Sequence, residues 1–132
     1  MTTTQVTPSP TVLVVDDEPD IRELARAILE IDGFDVIDEA EDGTQALERF
    51  IQLDPPPIPT VVLLDNRMPG LTGLQVAEQM LSHYPEQVIV LFSAHLDAAV
   101  EAEARALGVT ASVSKMHTPR LPEILRGLLK AS

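Results

Sequence analysis

Short, unbroken runs of apolar residues alternate along the chain with segments in which apolar residues recur at helical spacing. The runs predict buried β-strands at residues 12–15, 34–38, 61–64, 88–92 and 109–113. The helical patterns predict α-helices at residues 19–32, 42–53, 72–83, 96–107 and 119–130. Because continuous apolar strands separated by helices are typical of parallel sheets, we expect an α/β fold. It should contain a doubly wound five-stranded parallel sheet with helices on both faces.

The length of 132 residues is that of one domain, which we predict over residues 11–131. Residues 1–10 are rich in Thr, Pro and Ser, and we expect them to form a flexible N-terminal tail. The sequence DPPPIP at residues 54–59 is incompatible with a helix and predicts a stiff connector before the third strand.

Polar side chains stand where the predicted strands end. Asp16 and Asp17 follow the first strand, and Asp65 follows the third. Ser93 follows the fourth strand, and Lys115 comes shortly after the fifth. In doubly wound sheets, ligands bind outside the carboxyl ends of the strands. We therefore expect these side chains to converge on the functional edge of the sheet.

The residue types at this edge favour magnesium and phosphoryl chemistry. Three carboxylates in one place repel one another unless they are protonated or bind a cation. The chain has no Cys, and its three His residues lie on unlike elements, so the expected cation is one that prefers oxygen ligands, such as Mg²⁺. A carboxylate beside a metal, a hydroxyl and an ammonium forms a site for phosphoryl transfer to that carboxylate.

Composition narrows the classes of partner and location. The net charge is −12, from 21 acidic and 9 basic residues, and such a surface repels nucleic acid and anionic lipid. The absence of Cys excludes disulfides and thiol catalysis. Residues 1–10 lack the apolar segment of a signal peptide, and no apolar run is long enough to span a membrane. We therefore expect a cytoplasmic protein without membrane insertion.

The motifs VVDDE, LLDNRMPGLTG and FSA, together with the lone Lys115, resemble in order and spacing those of receiver domains of two-component response regulators. The resemblance extends from about residue 11 to residue 129. It implies the strand order 2-1-3-4-5 and a phosphoryl group taken from a histidine kinase or a histidine phosphotransfer protein. It also implies that a downstream protein or a missing output domain receives the signal, and it allows a homodimer.

The resemblance implies a role for each residue that matches the family's motifs. Asp65 is expected to be the phosphoacceptor, Ser93 the hydroxyl that follows the phosphoryl group, and Lys115 the ammonium that pairs with acceptor or phosphoryl oxygen. Asp17 is expected to bind Mg²⁺ directly, and Asp16 through water. The residues implied for the metal are Asp16, Asp17, Asp65 and, through its backbone carbonyl, Arg67.

Two positions depart from the family's pattern. Many receivers carry Tyr or Phe three residues before the Lys, where this chain has Ser112, so we expect a switch without a rotating ring. Most carry Pro after the Lys, where this chain has Met116. We predict a trans Lys115–Met116 peptide bond, a rearranged and more mobile loop at residues 114–118, and a Lys115 that is less firmly directed at the acceptor. The switching surface is expected around the helix at residues 96–107.

Simpler interpretations and other functions also fit parts of this pattern. Acidic residues at strand ends are often helix N-caps, and Lys115 alone would usually be a solvated charge. A receiver-like binding module that never takes phosphate would share the fold, but such modules usually lack some of these residues. An aspartyl-phosphate phosphatase would carry a D-x-D motif where this chain has Asp16-Asp17-Glu18. As a receiver, the chain is expected not to be an enzyme beyond catalysing its own Mg²⁺-dependent phosphorylation and dephosphorylation.

Overall fold

Five parallel strands form one sheet in the computed structural model, which describes residues 9–53 and 59–131. The strands are β1 (Thr11–Val15), β2 (Asp35–Ala40), β3 (Val61–Leu64), β4 (Val88–Ser93) and β5 (Ala111–Ser114). Their order across the sheet is β2-β1-β3-β4-β5. This order confirms the one implied by the resemblance, and the strands lie close to the ranges predicted from the apolar runs.

Helices cover both faces of the sheet. The helices α1 (Pro19–Ile31) and α5 (Leu121–Ala131) pack on one face. The other face carries α2 (Gly43–Gln52), α3 (Gly73–His83) and α4 (Ala98–Leu107). A 3-10 helix, Lys115–Arg120, joins β5 to α5. The doubly wound α/β architecture predicted from the sequence is therefore confirmed.

Side-chain caps define the starts of three helices. Asp42, Thr72 and Asp97 each accept a hydrogen bond from the backbone N–H three residues later, at 2.7, 3.2 and 2.8 Å. Thr72 and Gln75 form a reciprocal capping box. These caps satisfy backbone donors that have no partner in the first turn of a helix. The sequence pattern places Asp42, Thr72 and Asp97 inside their helices, whereas the structure places each one position before the first helical residue, so α4 begins at Ala98 and not at Leu96.

The core consists of two apolar layers, one on each side of the sheet. Alternate residues of the central strands point to opposite sides, as Leu13 and Val14 do in β1. Next to α1 and α5, the buried residues include Val12, Val14, Ala25, Leu29, Leu63, Phe92, Leu121 and Leu125. Next to α2, α3 and α4, they include Leu13, Val15, Phe50, Leu64, Val76, Met80, Ile89 and Leu91. Burial on both faces explains why these strands read as unbroken apolar runs.

The last helix begins later than its sequence pattern predicts. The pattern places the start at residue 119, whereas the structure continues the 3-10 helix through Arg120 and begins α5 at Leu121. Pro119 lies inside the 3-10 segment. Because Pro has no N–H and disfavours helical backbone in the residue before it, a regular α-helix starts only after it.

Two predicted segments fall largely outside the described residues. These are residues 1–8 of the predicted tail and residues 54–58 of the predicted connector. The residues that follow each of them are tied to the sheet. The carbonyl of Pro10 accepts the Asp35 N–H at 2.9 Å, and that of Pro59 accepts Gln87 Nε2 at 2.9 Å.

Candidate functional site

The parallel register brings the carboxyl ends of the strands to one edge of the sheet. Asp16 and Asp65 directly follow two residues that pair across β1 and β3. Ser93 ends β4 and pairs with the residue that precedes Lys115. A cleft of about 260 Å³ opens at this edge, and its lining includes Asp17, Asp65, Ser93 and Lys115. The structure therefore brings together the acids, the hydroxyl and the ammonium that the sequence predicts there.

The ammonium of Lys115 lies among the acidic groups. Its Nζ is 2.8 Å from Asp16 Oδ2, 3.4 Å from Asp65 Oδ2 and 3.6 Å from Glu18 Oε1. The Lys115 side chain is only 10% exposed, so its attractions to the buried Asp16 and Asp65 are less screened by water than those of a surface pair. Burial alone would lower the pKa of Lys115, but the neighbouring carboxylates, Asp16 first, raise it. Lys115 therefore stays protonated at neutral pH.

Burial and mutual repulsion shift the protonation of the two inner aspartates. Asp16 is 1% exposed and Asp65 is 3% exposed. Burial, followed by the charge of Asp16, raises the pKa of Asp65 to about 6. The charge of Lys115 and the Arg67 N–H oppose this shift without cancelling it. Burial also raises the pKa of Asp16 above its usual range, against the opposing effects of Lys115 and the Glu18 N–H. One ammonium therefore does not fully compensate the acids, and a further cation would relieve them.

The turn after β1 carries three consecutive acids whose carboxylates lie close together. One oxygen from each of Asp16, Asp17 and Glu18 lies within 4.8 Å of the others, a spacing that suits a metal ion. Asp16 Oδ1 accepts the Glu18 N–H at 2.9 Å, and Asp16 Oδ2 forms an ion pair with Lys115 Nζ at 2.8 Å. Asp17 lines the cleft beside Asp65. A donor set made of carboxylates fits a hard divalent cation such as Mg²⁺.

The turn after β3 holds Asp65 against α3. Asp65 Oδ1 accepts the Arg67 N–H at 3.2 Å, while Arg67 itself is exposed. Asn66 accepts two hydrogen bonds from the start of α3, from Gly73 N to its carbonyl at 3.0 Å and from Leu74 N to its Oδ1 at 3.1 Å. A Cβ at Gly73 would overlap the Asp65 carbonyl oxygen. Asn66 and Gly73 thus position the acid. The sequence analysis did not single them out, although both lie in the LLDNRMPGLTG motif.

Ser93 is 1% exposed and lies at the end of β4, in the lining of the same cleft. Its Oγ accepts the His95 N–H at 3.3 Å. His95 and the small residue Ala94 also line the cleft. His95 was not predicted as a cleft residue, although its place two residues after the strand-end hydroxyl was a signal for it. The hydroxyl of Ser93 is therefore tied to the backbone that leads towards α4.

The backbone after Lys115 is held by local hydrogen bonds. The Met116 N–H donates to Ser114 Oγ at 3.1 Å, and Thr118 Oγ1 donates to the Lys115 carbonyl at 2.5 Å. These bonds support a 3-10 helix in which Lys115 reaches both inner aspartates. In this structure Lys115 Nζ contacts both inner aspartates, and the expectations of a less firmly directed Lys115 and a more mobile loop at residues 114–118 stay predictions. The geometry of the Lys115–Met116 peptide bond stays a prediction. Ser112 is half-buried in β5.

The strand order 2-1-3-4-5, with acids, a hydroxyl and a lysine at its carboxyl edge, defines a signalling domain of the receiver class. Residues 12–126 match the family model of the response regulator receiver domain. The chain belongs to this family, as the motifs at the strand ends predicted.

Individual relatives agree with this assignment. The chain is 43% identical over 93 residues to the positive alginate biosynthesis regulatory protein of Pseudomonas aeruginosa, across 69% of this chain and 36% of that protein. It is 37% identical over 119 residues to the probable transcriptional regulatory protein NarL of Mycobacterium tuberculosis, across 89% of this chain and 52% of that protein. The structure of the signal receiver domain of the putative response regulator NarL from Mycobacterium tuberculosis matches with a TM-score of 0.83 and 31% identity. That match covers 96% of this chain and 100% of that domain.

The chain spans between 36% and 52% of the length of these two curated relatives. Nothing in the matched family favours the phosphate-free binding module or the phosphatase over a response regulator receiver. Among residues 9–53 and 59–131, no helix is both long and apolar enough to cross a membrane.

Proposed function

We propose that Asp65 accepts a phosphoryl group from a phosphohistidine of a histidine kinase or a histidine phosphotransfer protein. The observation that carries this proposal is the contact of one shielded ammonium, Lys115, with both Asp16 and Asp65 beside an open cleft. Asp65 is nearly buried but lines that cleft, so a small phosphoryl group can reach its carboxylate. Because the pKa of Asp65 is about 6, the carboxylate form predominates at neutral pH and can act as a nucleophile.

In the proposed transfer, a carboxylate oxygen of Asp65 attacks the phosphorus atom while the P–N bond of the donor breaks. The donor imidazole leaves with the electron pair of that bond and takes up a proton. Lys115 compensates the negative charge on the phosphoryl oxygens, and the Ser93 hydroxyl donates a hydrogen bond to one of them. Apart from this acyl phosphate chemistry on itself, the domain is proposed to act as a signalling module and not as an enzyme.

Mg²⁺ is the proposed cofactor, held by Asp17, Asp65 and the backbone carbonyl of Arg67, with Asp16 acting through water. When bound, this cation supplies charge compensation for the phosphoryl oxygens. The contacts of Asp16 with the Glu18 N–H and with Lys115 Nζ support an indirect role for it, and the place of Asp17 in the cleft supports a direct one. The raised pKa of Asp65 supports a need for added positive charge at the site.

Phosphorylation is proposed to change the surface around α4. It adds a charge of about −1.5 to −2 in the cleft that Ser93 lines. The Ser93 hydroxyl is bonded to the backbone of His95, which leads into α4. We propose that a downstream protein or an output domain binds this surface in the cytoplasm. A second copy of the domain could also bind it and form a homodimer. Direct nucleic-acid binding is not expected from a chain with a net charge of −12.

Intact-mass spectrometry after incubation with acetyl phosphate and Mg²⁺ tests the transfer. One phosphoryl adduct is expected on the wild-type protein and on Asp20→Asn, which replaces an exposed acid of α1. The adduct should be absent from Asp65→Asn and from wild-type protein treated without Mg²⁺. A folded wild-type protein that takes no adduct, or an Asp65→Asn variant with an undiminished one, would refute the proposal.

A further inference from the structure

The acidic turn between β1 and α1 does not use its side chains to cap the helix that follows it. Glu18 occupies the N-cap position of α1 but makes no side-chain capping hydrogen bond. The carboxylate of Asp16 contacts Lys115, and Asp17 lines the cleft. These adjacent acids repel one another, so other contacts must hold the turn in a single arrangement.

Arg22 supplies such a contact from the second turn of α1. Its Nη1 donates a hydrogen bond to the carbonyl oxygen of Asp16 at 2.5 Å. On the other side of the same residue, the Asp16 N–H donates to the Ala40 carbonyl at 3.0 Å. Because a peptide group is planar, fixing this carbonyl fixes the plane of the Asp16–Asp17 peptide. It thereby restricts the directions in which both acidic side chains leave the backbone.

Arg22 is itself held in place by Glu39 of β2. The Nε of Arg22 is 3.3 Å from Glu39 Oε1, and the Nε of Arg26 is 2.6 Å from Glu39 Oε2. The side chains of Arg22 and Glu39 are 16% and 29% exposed, so the pair is partly shielded from water. The planar guanidinium of Arg22 can bind the carboxylate and the Asp16 carbonyl together, a geometry that the compact ammonium of Lys does not reproduce.

We propose that Arg22, anchored by Glu39, is a positioning residue that orients Asp16 and Asp17 for Mg²⁺ binding. This inference rests on the proposed function, because it assigns Arg22 to the metal site described above. Arg22 acts through the backbone of Asp16 and not through a bond to the cation.

The loss of the Arg22 charge and the loss of its positioning contact predict opposite changes in the affinity for Mg²⁺. Removing a positive charge near the acids would strengthen their attraction for Mg²⁺. Releasing the Asp16–Asp17 peptide would weaken Mg²⁺ binding by about 10-fold. This is the lower end of the range of effects that follow when a hydrogen-bond partner of a metal ligand is removed. A higher Kd in a variant that has lost a positive charge therefore identifies positioning.

The test is an NMR titration of the unmodified protein with Mg²⁺, which follows the amides of residues 16–18 and 65–67. The chain has no Trp, so tryptophan fluorescence cannot report this binding. We expect the Kd to rise about 10-fold in both Arg22→Gln and Arg22→Lys. The labelling rate with acetyl phosphate should recover in both variants when Mg²⁺ is saturating, because no ligand has been removed.

Arg49→Gln is the matched control. Arg49 borders the same small surface cleft as Arg22 and Glu39, and it pairs with Asp38 at 3.5 Å. Its substitution removes one positive charge from this region without removing a contact to the acidic turn. The Kd for Mg²⁺ should therefore stay unchanged or fall in Arg49→Gln.

Unchanged or tighter Mg²⁺ binding in a folded Arg22 variant overturns the inference, and so does an equal weakening in Arg49→Gln. Thermal unfolding checks the fold, and if Arg22→Gln does not fold, Arg22→Lys decides because it retains the charge and most of the side chain. Failure of the proposed function can be distinguished from failure of this inference by the behaviour of the wild-type protein. A wild-type protein that shows the amide shifts but is never labelled would refute phosphoryl transfer alone, whereas absent shifts in the wild type would refute the metal site and the inference together.

Discussion

Three properties of Asp65 together determine its protonation. It follows a buried strand, it is 3% exposed, and it lies close enough to Asp16 for the two charges to repel each other. Its pKa rises from 3.8 to about 6 for these reasons. The ionised form is therefore less favourable in the folded chain than in the unfolded chain, so the residue costs stability at neutral pH. Folding therefore does not account for a carboxylate at this place, which agrees with the proposed role of Asp65 as phosphoacceptor.

Asp65→Asn should stabilise the fold, and more so at high pH. The folded pKa lies above the unfolded one, so the contribution of Asp65 to wild-type stability falls as pH rises from 3.8 to about 6 and stays lower above that range. The amide has no such titration. From the size of the shift, the gain in unfolding free energy should be about 2 kcal/mol larger at pH 8 than at pH 4.5.

Urea unfolding of both proteins at the two pH values measures this difference, with Asp20→Asn as the control for an exposed acid. A gain that is the same at pH 8 and pH 4.5, or a loss of stability at pH 8, would contradict it.

At the scale of single elements, two helices act as supports for the site. The start of α3 packs so closely on the turn after β3 that only a residue without a side chain fits at position 73. The 3-10 helix holds the backbone of Lys115 through its own hydrogen bonds. Both elements lie next to the acidic cleft, so a change in either should alter labelling of Asp65.

Gly73→Ala should destabilise the domain and slow its labelling. The added Cβ would overlap the carbonyl oxygen of Asp65 and force α3 away from the turn, at a cost of about 1–3 kcal/mol for overpacking. Gly127→Ala is the control, because a Cβ there meets no atom within 4 Å and lies in helix α5. It should stabilise the fold by about 0.5–1 kcal/mol. Urea unfolding and intact-mass labelling measure both effects, and a fully stable, normally labelled Gly73→Ala would show that the turn can move.

Met116→Pro should not speed the labelling of Asp65. Proline at this position would remove the N–H that donates to Ser114 Oγ, and Lys115 already contacts both inner aspartates. Met116→Ala keeps that N–H and removes only a side chain that is 85% exposed, so it should behave as wild type. Labelling rates with acetyl phosphate compare the three proteins. Faster labelling of the Pro variant would indicate that Lys115 is less well directed in solution than in this structure.

At the scale of the whole molecule, the helices are anchored unequally. Helix α3 buries five residues, Gly73, Leu74, Val76, Ala77 and Met80. Helix α4 buries only Ala104 among Ala98–Leu107. Segments with little buried apolar surface open at lower free energy than the global unfolding reaction. Helix α4 is therefore the element whose position the site can most easily change.

Hydrogen exchange should locate the switch at α4. In the unmodified protein, amides of α4 should exchange faster than those of α3 and α5. Addition of beryllofluoride with Mg²⁺, as a mimic of the phosphoryl group, should change exchange most at residues 93–107. The expected route runs through Ser93 and the backbone of His95, since Ser112 provides no aromatic ring.

Exchange measured by mass spectrometry on Asp65→Asn should show no response to the mimic. A response that is confined to α1 and α2 in the wild-type protein would contradict a switch through α4.

The sequence alone determined the element types and the edge at which the acids meet, because both follow from local rules. Unbroken apolar runs indicated the buried strands, and apolar residues at helical spacing indicated the helices. Because Asp16, Asp65 and Lys115 follow the ends of parallel strands, they were predicted to lie at one edge of the sheet. Strand order required the resemblance to receiver domains, since periodicity does not say which strands are neighbours. The predicted helices began too early at Asp42, Thr72 and Leu96, because an N-cap differs from a first helical residue in its backbone geometry and not in its sequence pattern.

The tertiary structure decided the features that depend on residues far apart along the chain. The contact of Lys115 with Asp16 joins the end of β5 to the turn after β1, and the pKa of Asp65 depends on burial by the whole fold and on the charges of Asp16 and Lys115. The Arg22–Glu39 pair links α1 to β2 in the same way. Such distances and burials arise only when the strands and helices pack together, so no local pattern in the sequence contains them.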